Sequence, residues 1–232
     1  MISAVISGDI ISYTALNNNE KQSLDTEINA MLELLKQEYN VFGRIVKGDY
    51  LECYVPDTHR VLRVALIIKS FIKVTSINIL TGKAIKDSKK KIFQNYGIRI
   101  AIGIGELERL DTEKGIIDGE AIYLSGRLIS ELQSYDKERA NIKNTMFIKT
   151  YSEELNKEVD VIITLLDKFF LDSTAKQSEV IMYKLKGLNE SEIAERFNVS
   201  QSAVNQHSTS AGWNAIEKAV NRFEELIKEK VK

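Results

Sequence analysis

Proline and cysteine are nearly missing from this sequence of 232 residues, which holds one of each. With so few backbone breakers, long helices are expected. The lone cysteine, Cys53, excludes an internal disulfide, and its apolar neighbours predict a small buried residue in a reducing compartment. A strong charge of either sign is missing too. The formal net charge is −1, so bulk charge argues for no nucleic-acid partner and any basic patch must be local. No segment reaches the ~18 consecutive apolar residues of a membrane span. The opening MISAVISGD has neither the basic region nor the cleavage site of a signal peptide. A cytoplasmic protein with no membrane partner is expected. What is there is ordinary globular composition, 44% hydrophobic and 28% charged. The length suits one large domain or two small ones, each with its own core.

The apolar run Ile2–Ser7, ending at Gly8-Asp9, predicts a buried strand. From Asn17 to about Tyr39, Leu24, Ile28, Met31, Leu32 and Leu35 recur at helical spacing after a polar start that can cap. Phe42–Val46 and Tyr50–Val55 read as two strands around a very tight turn, with Gly48-Asp49 as its central pair. Asp57 can cap a helix carrying Val61, Leu62, Ala65, Leu66, Ile68, Phe71 and Ile72. A polar stretch follows, and its run from Lys83 to Lys91 reads as a solvated loop or a phosphate contact. Gly97–Gly105 predicts a strand, Glu120–Leu132 a helix and Thr145–Ile148 a strand. Two βαβ crossovers around a hairpin make an α+β, ferredoxin-like βαββαβ domain, with helices on one face of the sheet.

From Glu153 the pattern turns helical. Leu155, Val159, Ile162, Ile163, Leu166, Phe169 and Phe170 share one stripe of a linking helix, packed on its own domain or in a dimer contact. Val180, Ile181, Tyr183 and Leu185 predict the next helix. Asn189 can cap a short one with Ile193, Ala194 and Phe197 inward. Asn198 then suits a left-handed turn, with Val199 beneath it as a core plug. Ser200 can cap a further helix with Val204 inward, and Trp213, Ile216, Val220, Phe223 and Ile227 mark a closing one. The pattern G-L-x-x-x-E-I-A-x-x-F-x-V-S-x-x-A-V over Gly187–Val204 resembles the helix-turn-helix of sigma-factor region four and of LuxR-type regulators. The resemblance implies an all-α helix-turn-helix domain that binds DNA through Ser200, Gln201, Ser202, Asn205 and Gln206. Gln201–Asn214 holds no lysine or arginine, so a dimer is needed to gather enough phosphate contacts. The expected division is 1–151, a linker helix 152–173, and 174–232.

Asp9 ends the first strand, Asp49 sits at the hairpin tip, and Gly119–Leu128 opens a helix carrying Arg127. Beside one another, Asp9 and Asp49 make a hard-oxygen pair for Mg²⁺. The backbone N–H groups of the stretch from Gly8 to Ile11 stand ready for phosphate, and Arg127 can neutralise phosphate charge. Plainer roles also exist: Asp9 as a cap, Asp49 as a turn former, Arg127 in a surface ion pair, Glu52 and Glu120 solvated. With their order and spacing, these motifs resemble the class III nucleotide cyclase catalytic domain. That family has D-I at the end of strand one, G-D in a hairpin and G-x-x-V-N-x-x-x-R before a helix.

The resemblance implies Asp9, Ile10 and Asp49 at a Mg site, Arg127 as a catalytic residue, and Ile11, Lys47, Asp118 and Tyr123 around a purine nucleotide. Tyr123 stands where the family has its transition-state asparagine. Ile45 stands at its base-selecting lysine, with Arg44 and Lys47 beside it, and Ile116 at its acidic position, with Asp118 two residues on. Taken whole, the chain resembles the SatD-like bacterial proteins. The expected function is a homodimeric DNA-binding regulator whose cyclase-like domain senses a nucleotide or dimerises. The alternatives are a Mg-dependent nucleotidyltransferase or cyclase and a scaffold in which both halves bind protein.

Overall fold

The computed structural model describes residues 2–80, 87–139 and 144–231, and of 132–139 the backbone alone. Strand β1 (Ile2–Ile10) is buried over most of its length, because it lies in the middle of a sheet and pairs antiparallel on both sides. A capping box between Asn17 and Glu20 starts α1 (Asn18–Tyr39), and Asn40 ends it in a left-handed conformation. β2 (Phe42–Val46) and β3 (Tyr50–Val55) follow as an antiparallel hairpin. Then come α2 (Val61–Ile79), α3 (Ser88–Tyr96), β4 (Ile98–Asp111), β5 (Ile116–Gly119), α4 (Glu120–Arg139) and β6 (Met146–Thr150). The sheet order is β2-β3-β1-β4-β5, with β6 parallel to the first part of β4. This is an α+β unit with a largely antiparallel sheet.

Alternation along β1 sorts the two faces. Ala4, Ile6 and Ile10 pack into the core beneath α1 and α2. Val5 packs with Ile117 and with Ala121 of α4, and the Ser7 hydroxyl meets that of Ser125 on α4 at 2.8 Å. Helices therefore cover both faces, not one, since α4 crosses over from β5 to β6 on the far side. α4 also lies very close: a Cβ at Gly103 would fall 2.0 Å from the Ala121 carbonyl oxygen.

Three local readings need correction. Asp57 makes no side-chain cap bond; it pairs instead with His59 Nδ1 at 2.5 Å and Arg60 Nε at 3.6 Å. Residues 88–91 open α3 behind an Asp87 cap rather than a loop, and Lys90 pairs with Glu20 at 2.5 Å; Lys83 and Lys86 lie outside the described residues. β4 runs on past Gly105 as a polar arm that turns back through β5. Its charged residues hide the strand from a search for apolar alternation.

The C-terminal part is five helices: α5 (Glu153–Asp172), α6 (Ala175–Leu185), α7 (Glu190–Phe197), α8 (Gln201–Ser210) and α9 (Trp213–Lys230). α5 buries Leu155, Val159, Ile163, Leu166 and Phe170 of its expected stripe, while Ile162 is half-buried and Phe169 exposed at its edge. Ile181, Leu185, Trp213, Ile216 and Phe223 join one core with Val61 and Leu62 of α2. Arg63 on α2 donates to Glu224 of α9 at 2.7 Å and to the Leu185 carbonyl at 3.0 Å. Val180, Ile193, Ala194 and Val204 form a smaller cluster among α6, α7 and α8.

Beneath α5 lies a buried polar knot. Lys69 of α2 donates to the Thr145 hydroxyl at 2.5 Å and stands 3.6 Å from Asp167 of α5. Asp167 accepts from the Thr145 hydroxyl at 2.7 Å and its amide at 2.6 Å. Burial drives the Lys69 pKa down to about 8, against the pull of Asp167.

Candidate functional site

The β2–β3 turn has three residues, Lys47, Gly48 and Asp49, between the paired Val46 and Tyr50. Its left-handed residues are Lys47 (φ 57) and Gly48 (φ 80), not the Gly-Asp pair that composition suggests. The turn lies against the end of β1: Tyr50 stands opposite Asp9 in register, and the Ile10 amide donates to the Asp49 carbonyl at 2.9 Å. Beside the turn stand the first two turns and a little more of α4, which carry Tyr123 and Arg127.

Between turn and helix lies a cleft of about 700 Å³ lined by Asp9, Lys47, Asp49, Glu52, Tyr123, Arg127 and Glu131 among others. Carboxylates outnumber cations in that lining, Asp9, Asp49, Glu52 and Glu131 against Lys47 and Arg127. Two of the carboxylates have guanidinium partners from the sheet. Arg44 of β2 holds Glu52 at 2.8 Å through Nε, so Glu52 is paired rather than solvated. Arg99 of β4 donates to Asp9 Oδ2 at 3.1 Å. The side chains of Lys47, Asp49 and Arg127 make no hydrogen bond or ion pair among the described residues. Asp9 caps no helix, since Asn17 caps α1.

The remaining predicted residues fall elsewhere. Ile10 and Ile11 are buried in the core, 3% and 5% exposed. Their amides are taken by the carbonyls of Asp49 and Gly97, so they are not available to phosphate. Past β1 the chain turns at Ile11 and a left-handed Ser12 (φ 60) into a single 3-10 turn, Tyr13–Ala15, before α1 begins. Asp118 accepts a very short hydrogen bond from the Tyr123 hydroxyl, and that bond pushes the phenol's pKa up. Glu120 of α4 accepts from the Glu106 amide at 3.2 Å. The residues that sequence reading missed are Arg99 and Glu131. An arginine in an otherwise apolar strand, Ile98-Arg99-Ile100, was the available signal for Arg99, because a buried cation demands a partner.

In the C-terminal helices, Asn189 accepts from the amides of Ser191 and Glu192, Asn198 is left-handed (φ 52, ψ 47), and Ser200 accepts from the Ala203 amide. Val199 is 42% exposed, so it plugs nothing; the core there is Val180, Ile193, Ala194 and Val204, with Tyr183, Leu188 and Phe197 packed against it. Gln201, Ser202, Asn205 and Gln206 lie exposed along α8. Asn205 is held by Glu190 of α7 at 3.2 Å, and Glu190 also pairs with Lys184 at 2.8 Å.

No family model matches the chain, and no curated protein matches it. Among solved structures it is similar to the catalytic core of a rhodopsin-guanylyl cyclase with converted specificity in complex with ATPαS. That match has 17% identity and a TM-score of 0.38 over 56% of this chain and 71% of that one. It is also similar to a bacterial light-regulated adenylyl cyclase, at 13% identity and a TM-score of 0.43 over 63% of this chain and 43% of that one. A third is the dimeric guanylyl cyclase domain of the RhoGC fusion protein from the aquatic fungus Blastocladiella emersonii. There the identity is 17% and the TM-score 0.36, over 56% and 73% of the two chains. No helix among the described residues is long and apolar enough to cross a membrane.

Proposed function

We propose that the cleft takes a purine nucleoside triphosphate together with a divalent cation, and that the chain is a cation-dependent nucleotidyl cyclase or nucleotidyltransferase. The carrying observation is the meeting of Asp9, Lys47, Asp49, Tyr123 and Arg127 around one cleft. Mg²⁺ uses one or two carboxylates and completes its shell with water and phosphate oxygens. Asp9 and Asp49 fit that donor set as a pair; no three His, Cys, Asp or Glu among the described residues are grouped so as to hold a metal ion by themselves. A cation held there supplies charge neutralisation at the reacting phosphate.

The chain's own residues supply the rest. Lys47 and Arg127, both without a hydrogen-bond or ion-pair partner among the described residues, face the phosphates as a point charge and a bidentate fork. Tyr123 brings a ring, its hydroxyl spent on Asp118, where the cyclase family brings an amide. The leaving group therefore gains no amide donor, and slow turnover is expected. A homodimer, implied by the resemblance, belongs to the same proposal. Incubation with labelled nucleoside triphosphates and Mg²⁺ or Mn²⁺ should yield a product that Asp49→Asn abolishes. Equal product from wild type and variant would overturn the reading.

A second reading, a SatD-like DNA-binding regulator, is favoured by the capped, left-handed turn between α7 and α8. In it, Gln201, Ser202, Asn205 and Gln206 enter the major groove behind the Ser200 cap. Glu190, anchored to Asn205, adds negative charge beside that helix and weakens phosphate binding. A gel shift on genomic fragments at low salt tests it, and no shift with any fragment refutes it.

A further inference from the structure

Arg99 has a part in the cleft that the cyclase resemblance does not supply. It stands directly across from Asp9 in the β1–β4 register, and its side chain is 5% exposed against 14% for Asp9. A guanidinium keeps its proton under all ordinary conditions, so the positive charge beside Asp9 is permanent. It is also well anchored, because the central strand of a sheet offers little room to swing away. A divalent cation arriving alone at Asp9 meets this charge at short range, in a partly buried setting where screening is weak. A cation arriving on a triphosphate does not, because the phosphates carry the compensating charge and Lys47 and Arg127 hold them. Asp49, with no cationic partner among the described residues, cannot alone retain a cation that prefers two carboxylates.

We propose that Arg99 is a positioning residue that, by holding Asp9, makes cation binding in the cleft conditional on the nucleotide. The inference rests on the nucleotide reading above. Its test is Mn²⁺ binding, followed by the paramagnetic resonance of free Mn²⁺ and by thermal denaturation, with no turnover needed. Wild type should bind Mn²⁺ in the presence of ATP or GTP and hold it at least about tenfold more weakly alone. R99Q should take up Mn²⁺ alone at least about tenfold more tightly than wild type, and Mn²⁺ should raise its Tm. R99K, which keeps the charge, should behave as wild type does. A merely structural arginine predicts a lower Tm for R99Q that Mn²⁺ does not restore. Equal Mn²⁺ binding by wild type with and without nucleotide overturns the proposal even where R99Q fails to fold. So does a folded R99Q with no gain in binding of the metal alone. Should wild type bind no nucleotide at all, the function reading fails, and R99Q with Mn²⁺ alone still decides the role of Arg99.

Discussion

Lys47 sits at φ 57, a left-handed backbone that costs a residue with a Cβ about 1 kcal/mol. Gly48 beside it, at φ 80, bears no such cost. Strain of this kind persists where something else is gained, and here the side chain it presents is one of the two cations lining the cleft. Lys47→Gly should therefore raise stability by about 0.5 kcal/mol, read as a slightly higher urea midpoint, and weaken nucleotide binding. The strain relieved is partly offset by the greater freedom of glycine in the unfolded chain. A variant that is neither more stable nor weaker in binding would detach the turn from the site. Cys53 is the contrasting residue. It is wholly buried, and burial pushes its thiol up to about 12, so it is packing and not chemistry.

At the scale of elements, the site depends on α4 being seated tightly on β4. Gly103 permits this, since a Cβ there would meet the Ala121 carbonyl at 2.0 Å and the Ser125 amide at 2.9 Å. Gly103→Ala should push α4 off the sheet and cost about 1–3 kcal/mol. It should also lower nucleotide affinity, because Tyr123 and Arg127 ride on that helix. Thermal denaturation and binding measured on the same sample check both parts, and a loss of stability with unchanged affinity would argue that α4 does not build the cleft. Much at this scale was legible in the sequence. Caps at Asn17, Asn189 and Ser200, the left-handed Asn198 and the periodic stripe of α5 are local chemistry, written within a few residues. What was hidden is non-local. The β4–β5 arm carries charge where a buried strand would carry apolar side chains, and the exposed Val199 looks apolar enough to be core. Arg99 shows its meaning only when β1 lies beside it.

The whole molecule is held together across α2, which meets the sheet on one side and α6 and α9 on the other. Lys69 is the costly member of that junction. The unfolded chain keeps its proton up to the ordinary value of 10.5, the folded chain only to about 8. Between those values unfolding takes up a proton, so this group makes stability rise with pH across the interval and leaves it flat below. The urea midpoint of wild type relative to Lys69→Met should accordingly climb from about pH 8 towards pH 10.5. A difference that is constant or falling over that range would mean that Lys69 stays charged in the fold.

The sequence placed the carboxylates at the ends of strands that this topology brings together, and the cleft also gathers Lys47, Tyr123 and Arg127. Whether that cleft holds a nucleotide is measured most directly by calorimetric titration of the full chain with ATP and with GTP in the presence of Mg²⁺. The account predicts saturable binding of at least one of them to wild type, weakened about tenfold or more, roughly 1.4 kcal/mol, by Asp49→Asn. No heat of binding with either nucleotide, or the same affinity in the variant, would contradict it.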